Sequence, residues 1–325
     1  MTWNLENLFL PDEEGGPDRQ GMFDQKLTAL ATTILQLSPD VLAVQEVGSE
    51  AAFKALCATL QDKYPYRRLS SLPDGRGIRV GFLSSLPIEE HEDFADFPGG
   101  AFKSIAGLDR FGNPEPVTRM SRGALRVVVR PATGISVQLV TAHLKSKLLS
   151  FPSVSGEARF LPRNEDERAF IAGLALLRRA AEAVTLRVRA NELLLGNQDR
   201  ALILLGDLND VIDAATTQLL QGPPGSEIGT AGFDRPDSGD NTRLFNLAPL
   251  IPEARRYSRT YRGNKELIDH ILVTGGLLPS RPRRVPKVDA HVDLFGGLPS
   301  ITDEPTLRRG KPQSDHAPVT ATFEL

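Results

Sequence analysis

The chain has 325 residues, 40 % hydrophobic and 24 % charged, with a net charge of −3. These are ordinary values for a globular protein with room for a sizeable core, and they give no global attraction to nucleic acid. The single cysteine, Cys57, excludes an internal disulfide, and no apolar run reaches membrane-spanning length.

The chain opens on "MTWNLENLF", a short strand expected to break at Asn4. It contains no signal peptide, since Trp3, Asn4, Glu6 and Asn7 interrupt it. With one cysteine, the chain as given reads as cytoplasmic. A strand that begins almost at Met1 leaves room for a missing start or leader, and a leader would make the protein secreted.

Apolar residues Phe23, Leu27, Leu30, Ile34 and Leu37 follow at helical spacing. "VLAV" is then a buried strand that closes on Gln45 and Glu46, and a second helix runs from about Glu50 to Tyr64. "IRVGFLSS" and "PIEEHEDF" read as two strands, residues 95–120 as a surface loop, and "GALRVVVR" with "ISVQLVTAHL" as a hairpin.

A long helix is expected over Glu165–Leu195. Asn164 and Glu167 form a capping-box pattern, and Phe170, Leu174, Leu177, Ala181, Val184 and Val188 an apolar stripe. "ALILLGDLND" is a core strand that runs into polar groups, and a short helix follows near Ala214–Leu220. Irregular chain extends to about Thr260. "ELIDHILV" is a strand, residues 275–313 are rich in Pro, Gly and Arg, and "HAPVTATFEL" is the closing strand. Hairpins mixed with helices suit a layered α/β sandwich within one domain over residues 1–325.

Asn4, Glu46, His143, Asp207, Asn209, Asp269, Asp315 and His316 each lie at or beside the end of an apolar run. Strand ends meet loops, so one polar residue there is unremarkable. Eight that are all Asn, Asp, Glu or His point instead to metal ligands, proton carriers and amide donors. In an extended strand Asp207 and Asn209 share a face, as do His143 and Lys145. Asp210, Asp213 and His270 read as surface or core filler, and Trp3 as core. An EF-hand at Asp207 fails, and there is no phosphate-loop, HExxH or GxSxG motif.

The pieces "TWNLENLF", "LAVQEV", "VTAHLKSK", "LLGDLND", "LIDHILV" and "SDHAPV" resemble, in order, the motifs of the endonuclease/exonuclease/phosphatase superfamily. The resemblance implies a four-layered α/β sandwich, with two mixed, largely antiparallel central sheets flanked by helices. It also implies a metal-dependent phosphodiesterase using Mg²⁺, or Mn²⁺ in its place.

Glu46 would be the principal metal ligand, with Asn4 and Asp315 on the metal side. His316 would work on the scissile phosphate, oriented by Asp269. Asp207 would handle the attacking water, Asn209 would hold a phosphate oxygen, and His143 resembles the second histidine of deoxyribonuclease- and sphingomyelinase-like members. Arg122 occupies the place of a loop arginine near the site. Lys145 is either a phosphate contact or a solvated charge. Arg259 and Tyr261 of "SRTYRG" either touch substrate or pin a loop.

The first expectation is an endonuclease acting on nucleic acid by in-line attack of water. The second is hydrolysis of a lipid head group, inositol phosphate or nucleotide. The third, a silent binding module, is disfavoured because every catalytic type is present. Clusters at Arg67, Arg68, Arg76 and Arg79, at Arg281, Arg283, Arg284 and Lys287, and at Arg308, Arg309 and Lys311 offer local positive surface. The protein is expected to be a monomer, with no stable protein partner and no membrane span.

Overall fold

The computed structural model describes residues 1–197, 200–233, 235, 242–278 and 286–325. β1 (Thr2–Leu8) passes through α1 (Gln20–Leu37) to β2 (Val41–Val47), which pairs with β1 in parallel. α2 (Glu50–Thr59) precedes β3 (Tyr66–Leu69), β4 (Arg79–Ser84) and β5 (Ile88–Asp96). The short β6 (Ile105–Leu108) and β7 (Pro114–Val117) form a hairpin ahead of β8 (Arg119–Val129) and β9 (Val137–His143).

α3 (Glu165–Leu194) links β9 to β10 (Ala201–Asp207), again in parallel. Then come α4 (Ala215–Gln218), β11 (Leu244–Asn246), β12 (Arg259–Tyr261), β13 (Asn264–Glu266) and β14 (Asp269–Thr274). β15 (Lys287–Ala290), β16 (Ser300–Ile301) and β17 (Val319–Thr322) complete the described strands.

One six-stranded sheet has the order β15-β17-β1-β2-β4-β3, and the other β11-β14-β10-β9-β8-β5. Each has one parallel pair at its centre, closed by a helical crossover, and is otherwise antiparallel. The sheets pack face to face through Ala43, Val80 and Phe82 on one and Leu125, Leu205 and Ile271 on the other. Phe23, Leu30 and Ile34 of α1 and Phe53 of α2 cover the first sheet's outer face. Leu186, Ala190 and Leu194 of α3 cover the second. The result is the expected four layers. Buried on both faces, β10 reads as an unbroken apolar run: Leu202 and Leu204 meet α3, while Ile203 and Leu205 meet the opposite sheet.

Several local expectations differ. β1 does not end at Asn4 but continues to Leu8 with Glu6 and Asn7 at positive φ, and its register with β2 shifts after Asn4. α2 stops at Thr59, because Gln61 and Asp62 turn left-handed ahead of Pro65. Residues 95–120 hold the β6–β7 hairpin, whose short strands carry Pro114 and Pro116 and show no apolar alternation. The stretch 275–313 contains β15 and β16, and the closing strand is only four residues long.

The face of α3 also differs. Phe170 and Leu177 are exposed, whereas Ile171, Ala175, Arg179, Glu182, Leu186 and Ala190 are buried. Of the expected stripe Ala181 is buried and Leu174, Val184 and Val188 are half-buried, but the inward face is partly charged, so apolarity alone did not outline it.

Candidate active site

The carboxyl ends of the two parallel pairs meet between the sheets. β2 supplies Glu46, β9 ends at His143 and β10 at Asp207; His143 and Asp207 are register partners. Two backbone features aim these groups. Glu46 has φ +60 at a register shift between β2 and β4, which turns its side chain out of the strand's alternation. Gly206 has φ +149, and a Cβ there would lie 2.0 Å from the Ala142 carbonyl oxygen. Glycine is therefore required by the close approach of β9.

Asp207 is the hub. Its Oδ2 accepts from Asn4 Nδ2 at 2.9 Å and lies 3.3 Å from His143 Nε2 and 4.0 Å from His316 Nε2. Its Oδ1 accepts from the Asn209 backbone at 2.9 Å. Asn209 thus reaches the site through a left-handed turn at φ +54, beyond the end of β10, and not by sharing a strand face with Asp207. Its amide donates to Leu144 O at 3.0 Å.

His316 precedes β17, and its Nδ1 donates to Asp269 Oδ2 at 2.7 Å. The loop that carries it is held at several points. Trp3 Nε1 donates to His316 O, Ser314 Oγ donates to Asn4 O, and the Asp315 backbone N–H donates to Glu6. Trp3 is core, as expected, with its polar edge in use. Ser258 Oγ accepts from the Ile268 and Asp269 backbone at the start of β14.

The two histidines face one carboxylate in opposite protonation states. Burial works against a charge on His316, but Asp269, Asp315 and Asp207 outweigh it and push the imidazole up to about 10. Burial, then Arg122, His316, Arg76 and Lys145, hold His143 well below its ordinary value, so it is neutral. Burial and Asp269 raise Asp207 to about 6, against His316 and Asn4. Burial would raise Glu46 too, but Arg76, Arg122 and His316 keep it below the usual carboxylate range and ionised.

The expected metal-side residues are not equivalent. Asn4 and Glu46 meet at 3.2 Å, but it is the Asn4 amide nitrogen that faces the carboxylates, while Asn4 Oδ1 accepts from the Glu6 backbone. Asp315 is buried beside Glu6, whose carboxylate is paired with Arg308 at 2.9 Å and raised to about 7 by burial and Asp315. Asp207, Asp269 and His316 have ligand atoms within 4.8 Å of one another. A protonated His316 has no free lone pair, so the hard oxygens of Glu46, Asp207 and Asp269 are the donors that suit a divalent cation here. Glu46 retains some solvent access, and its second oxygen is held by the Asn7 backbone at 2.9 Å.

The expected substrate contacts divide. Arg122 lies close enough to act on Glu46 and His143, with its Nε bound to Asp74 at 3.0 Å. Arg259 is bridged in backbone to His316, acts on Asp207 and stacks over Tyr261. Tyr261 donates its hydroxyl to Asp303, which also pairs with Arg262, so this tyrosine is engaged in pinning the β12–β16 region. Lys145 is turned into a separate cavity.

Five supporting residues were not legible as such. Arg76 donates to Asn7 and bears most strongly on Glu46 among the positive charges. Arg179 of α3 pairs with Asp210 at 3.0 Å and donates to Lys145 O at 3.1 Å. Glu182 accepts from the Ser121 and Lys145 backbones at 2.7 and 2.6 Å. Asp210 is thus a buried anchor that also accepts from Thr216, and not a surface charge. His270, read as filler, is buried and bonds Asn246 and Asp210 O.

Residues 1–316 match the model of the Endonuclease/Exonuclease/phosphatase family. The chain belongs to that family. No curated protein matches it by sequence. Among solved structures, sphingomyelinase C from Streptomyces griseocarneus is similar at 17% identity and a TM-score of 0.58, over 99% of this chain and 98% of that one. TDP2 from C. elegans is similar at 16% and 0.56, over 100% and 74%. A mannosyl-6-phosphatase from Bacteroides thetaiotaomicron is similar at 16% and 0.55, over 100% and 98%. These likenesses establish the fold. Members of the endonuclease/exonuclease/phosphatase family are metal-dependent phosphoesterases, and the oxygen donors at Glu46, Asp207 and Asp269 fit that dependence.

Proposed function

We propose that the protein is a divalent-metal-dependent phosphodiester hydrolase that acts as one domain. The observation that carries this is Asp207 Oδ2, ringed by Asn4, neutral His143 and cationic His316 beside an ionised Glu46. Glu46, with Asp207 and Asp269 nearby, would hold Mg²⁺ or Mn²⁺, which when bound offsets substrate charge and steadies the leaving oxygen.

The side chains do the rest. Asp207, raised toward neutrality, takes a proton from water as the water oxygen attacks phosphorus in line. The bond to the leaving oxygen breaks, and that oxygen takes a proton from solvent water. Cationic His316, fixed by Asp269, donates to the phosphoryl oxygens as charge builds. Asn209 and His143 complete the set of donors.

Nucleic acid is the first substrate to test, and a compact ester is the second reading. The second is favoured by what the basic clusters do. Arg79 donates to Gly48 O and Gly77 O, Arg308 pairs with Glu6, and Arg309 pairs with Asp18 and donates to Gly16 O. Arg281, Arg283 and Arg284 lie outside the described residues. Among the described residues, no helix is long and apolar enough to cross a membrane.

The test is hydrolysis of bis(p-nitrophenyl) phosphate, DNA, RNA, sphingomyelin and inositol phosphates, with Mg²⁺ or Mn²⁺ and then EDTA. Metal-dependent diester cleavage is the expected result. Turnover of phosphomonoesters alone would remove the diesterase reading, and full activity in EDTA would remove the metal.

A further inference from the structure

Lys145 leaves β9 two residues after His143 and enters a cavity of about 280 Å³ that the chemistry above does not use. The walls are the β6–β7 hairpin, the 149–158 segment and the first half of α3. Leu108, Val117, Phe151, Ile171 and Leu174 make them largely apolar. Set among these are Lys145, Arg178, Arg110 and one acid, Asp109.

That acid does not neutralise the cations. Asp109 Oδ1 accepts from the Phe111 and Asn113 backbones, and Oδ2 from the Asn113 amide, all within its own turn. Among the described residues, Lys145 Nζ has no ion pair. Arg178 Nε is buried without a hydrogen bond but forms a long ion pair with Glu182 at 3.5 Å. Glu182 is already committed to Ser121 and the Lys145 backbone. Arg179, the next cation along, is taken by Asp210.

Lys145 and Arg178 share one carboxylate, Glu182, that is also committed to other donors, so an anion entering the cavity would meet cationic charge that is only partly balanced. Apolar walls with a few convergent polar groups also describe a small-molecule pocket. We propose that this cavity binds a compact organic anion, a phosphate or carboxylate on an apolar frame, with Lys145 and Arg178 taking the anionic end. Burial and Arg122 bring the Lys145 amine down to about 8, with Glu182 acting the other way.

The test is calorimetric titration of the full chain in EDTA with phenyl phosphate, benzoate, inorganic phosphate and phenol. Phenyl phosphate or benzoate should bind, phenol should not, and inorganic phosphate should bind more weakly. Lys145→Met and Arg178→Gln should each weaken binding about tenfold, the loss of one charge-assisted hydrogen bond. Glu46→Gln should leave it unchanged. Binding that is as tight in Lys145→Met as in the parent, that vanishes in Glu46→Gln, or that is as tight for inorganic phosphate overturns the proposal, as does no binding at all.

Should Lys145→Met fail to fold, acetylation of Lys145 in the unaltered chain is the second readout. Phenyl phosphate should protect that amine, and equal labelling with and without it overturns the site. Binding is read here without turnover, so an inactive protein that still binds through Lys145 would refute the hydrolase reading and leave the cavity standing.

Discussion

Asn4 donates to Asp207 at 2.9 Å across the junction of the two sheets, and the same amide reaches Glu46 at 3.2 Å. It is a neutral spacer between two carboxylates that would otherwise raise each other's pKa. Asn4→Ala should therefore lower kcat by about 10²-fold through misplacement of Asp207, with KM little changed. Steady-state kinetics on a chromogenic diester checks this, and an unaltered kcat would take Asn4 out of any positioning role.

The Arg179–Asp210 pair beneath the Asn209 turn should matter for stability first. Arg179→Met leaves a buried carboxylate without its partner, at a cost of about 3–5 kcal/mol in urea unfolding. Adding Asp210→Leu should recover much of that loss. A single variant as stable as the parent would mean that Thr216 and Lys147 together satisfy Asp210.

His316 predicts a pH dependence whose sign is fixed by Asp269, Asp315 and Asp207 around it. Its folded pKa of about 10 exceeds the unfolded value, about 6.5. The folded state holds the proton more tightly, so the stabilisation is fully present below about 6.5 and is lost as pH rises through about 10. Urea midpoints measured in EDTA across that window should fall for the parent and stay flatter for His316→Asn. Parallel curves would place the titration elsewhere.

Gly206→Ala should destabilise by about 3 kcal/mol or more, since both the contact with Ala142 and the positive φ oppose a side chain. The damage should include activity, because β9 and β10 carry His143 and Asp207 in register. Thermal unfolding and turnover together decide it. A stable, active variant would show that β9 can retreat.

Glu46→Gln should raise the Mg²⁺ concentration needed for half-maximal turnover by at least about tenfold, as an ionised hard ligand is exchanged for a neutral one. Metal titration of the rate is the measurement. An unshifted curve would move the cation toward Asp207 and Asp269.

The architecture and the central residues were legible because each lies at the end of a long apolar run and belongs to a recognisable short motif. β10 and the Asp207, Asp269 and His316 positions are examples. What was hidden depends on contacts distant in sequence or on backbone twists. Arg179 and Glu182 sit on the face of α3 shared with Ile171, Ala175 and Leu186, so their spacing was visible, but only partners on other elements make them inward-facing. Asn209 and Glu46 occupy left-handed positions that strand periodicity cannot anticipate. Asp210 looked like a loop charge because its counter-ion is 31 residues away. Tyr261 could have met substrate or a loop acid, and only Asp303, far along the chain, separates those cases.

The strand order carries one more consequence. The first sheet is built from both ends of the chain, since β17 pairs with β1, while the second comes from the middle. During synthesis, Asn4, Glu46, His143, Asp207 and Asp269 all emerge before the segment that bears His316. A nascent chain would therefore display its carboxylates without the cation that balances them, and would lack a complete candidate site. Competence would arrive only when the segment bearing His316 leaves the ribosome and β17 lies down beside the first strand.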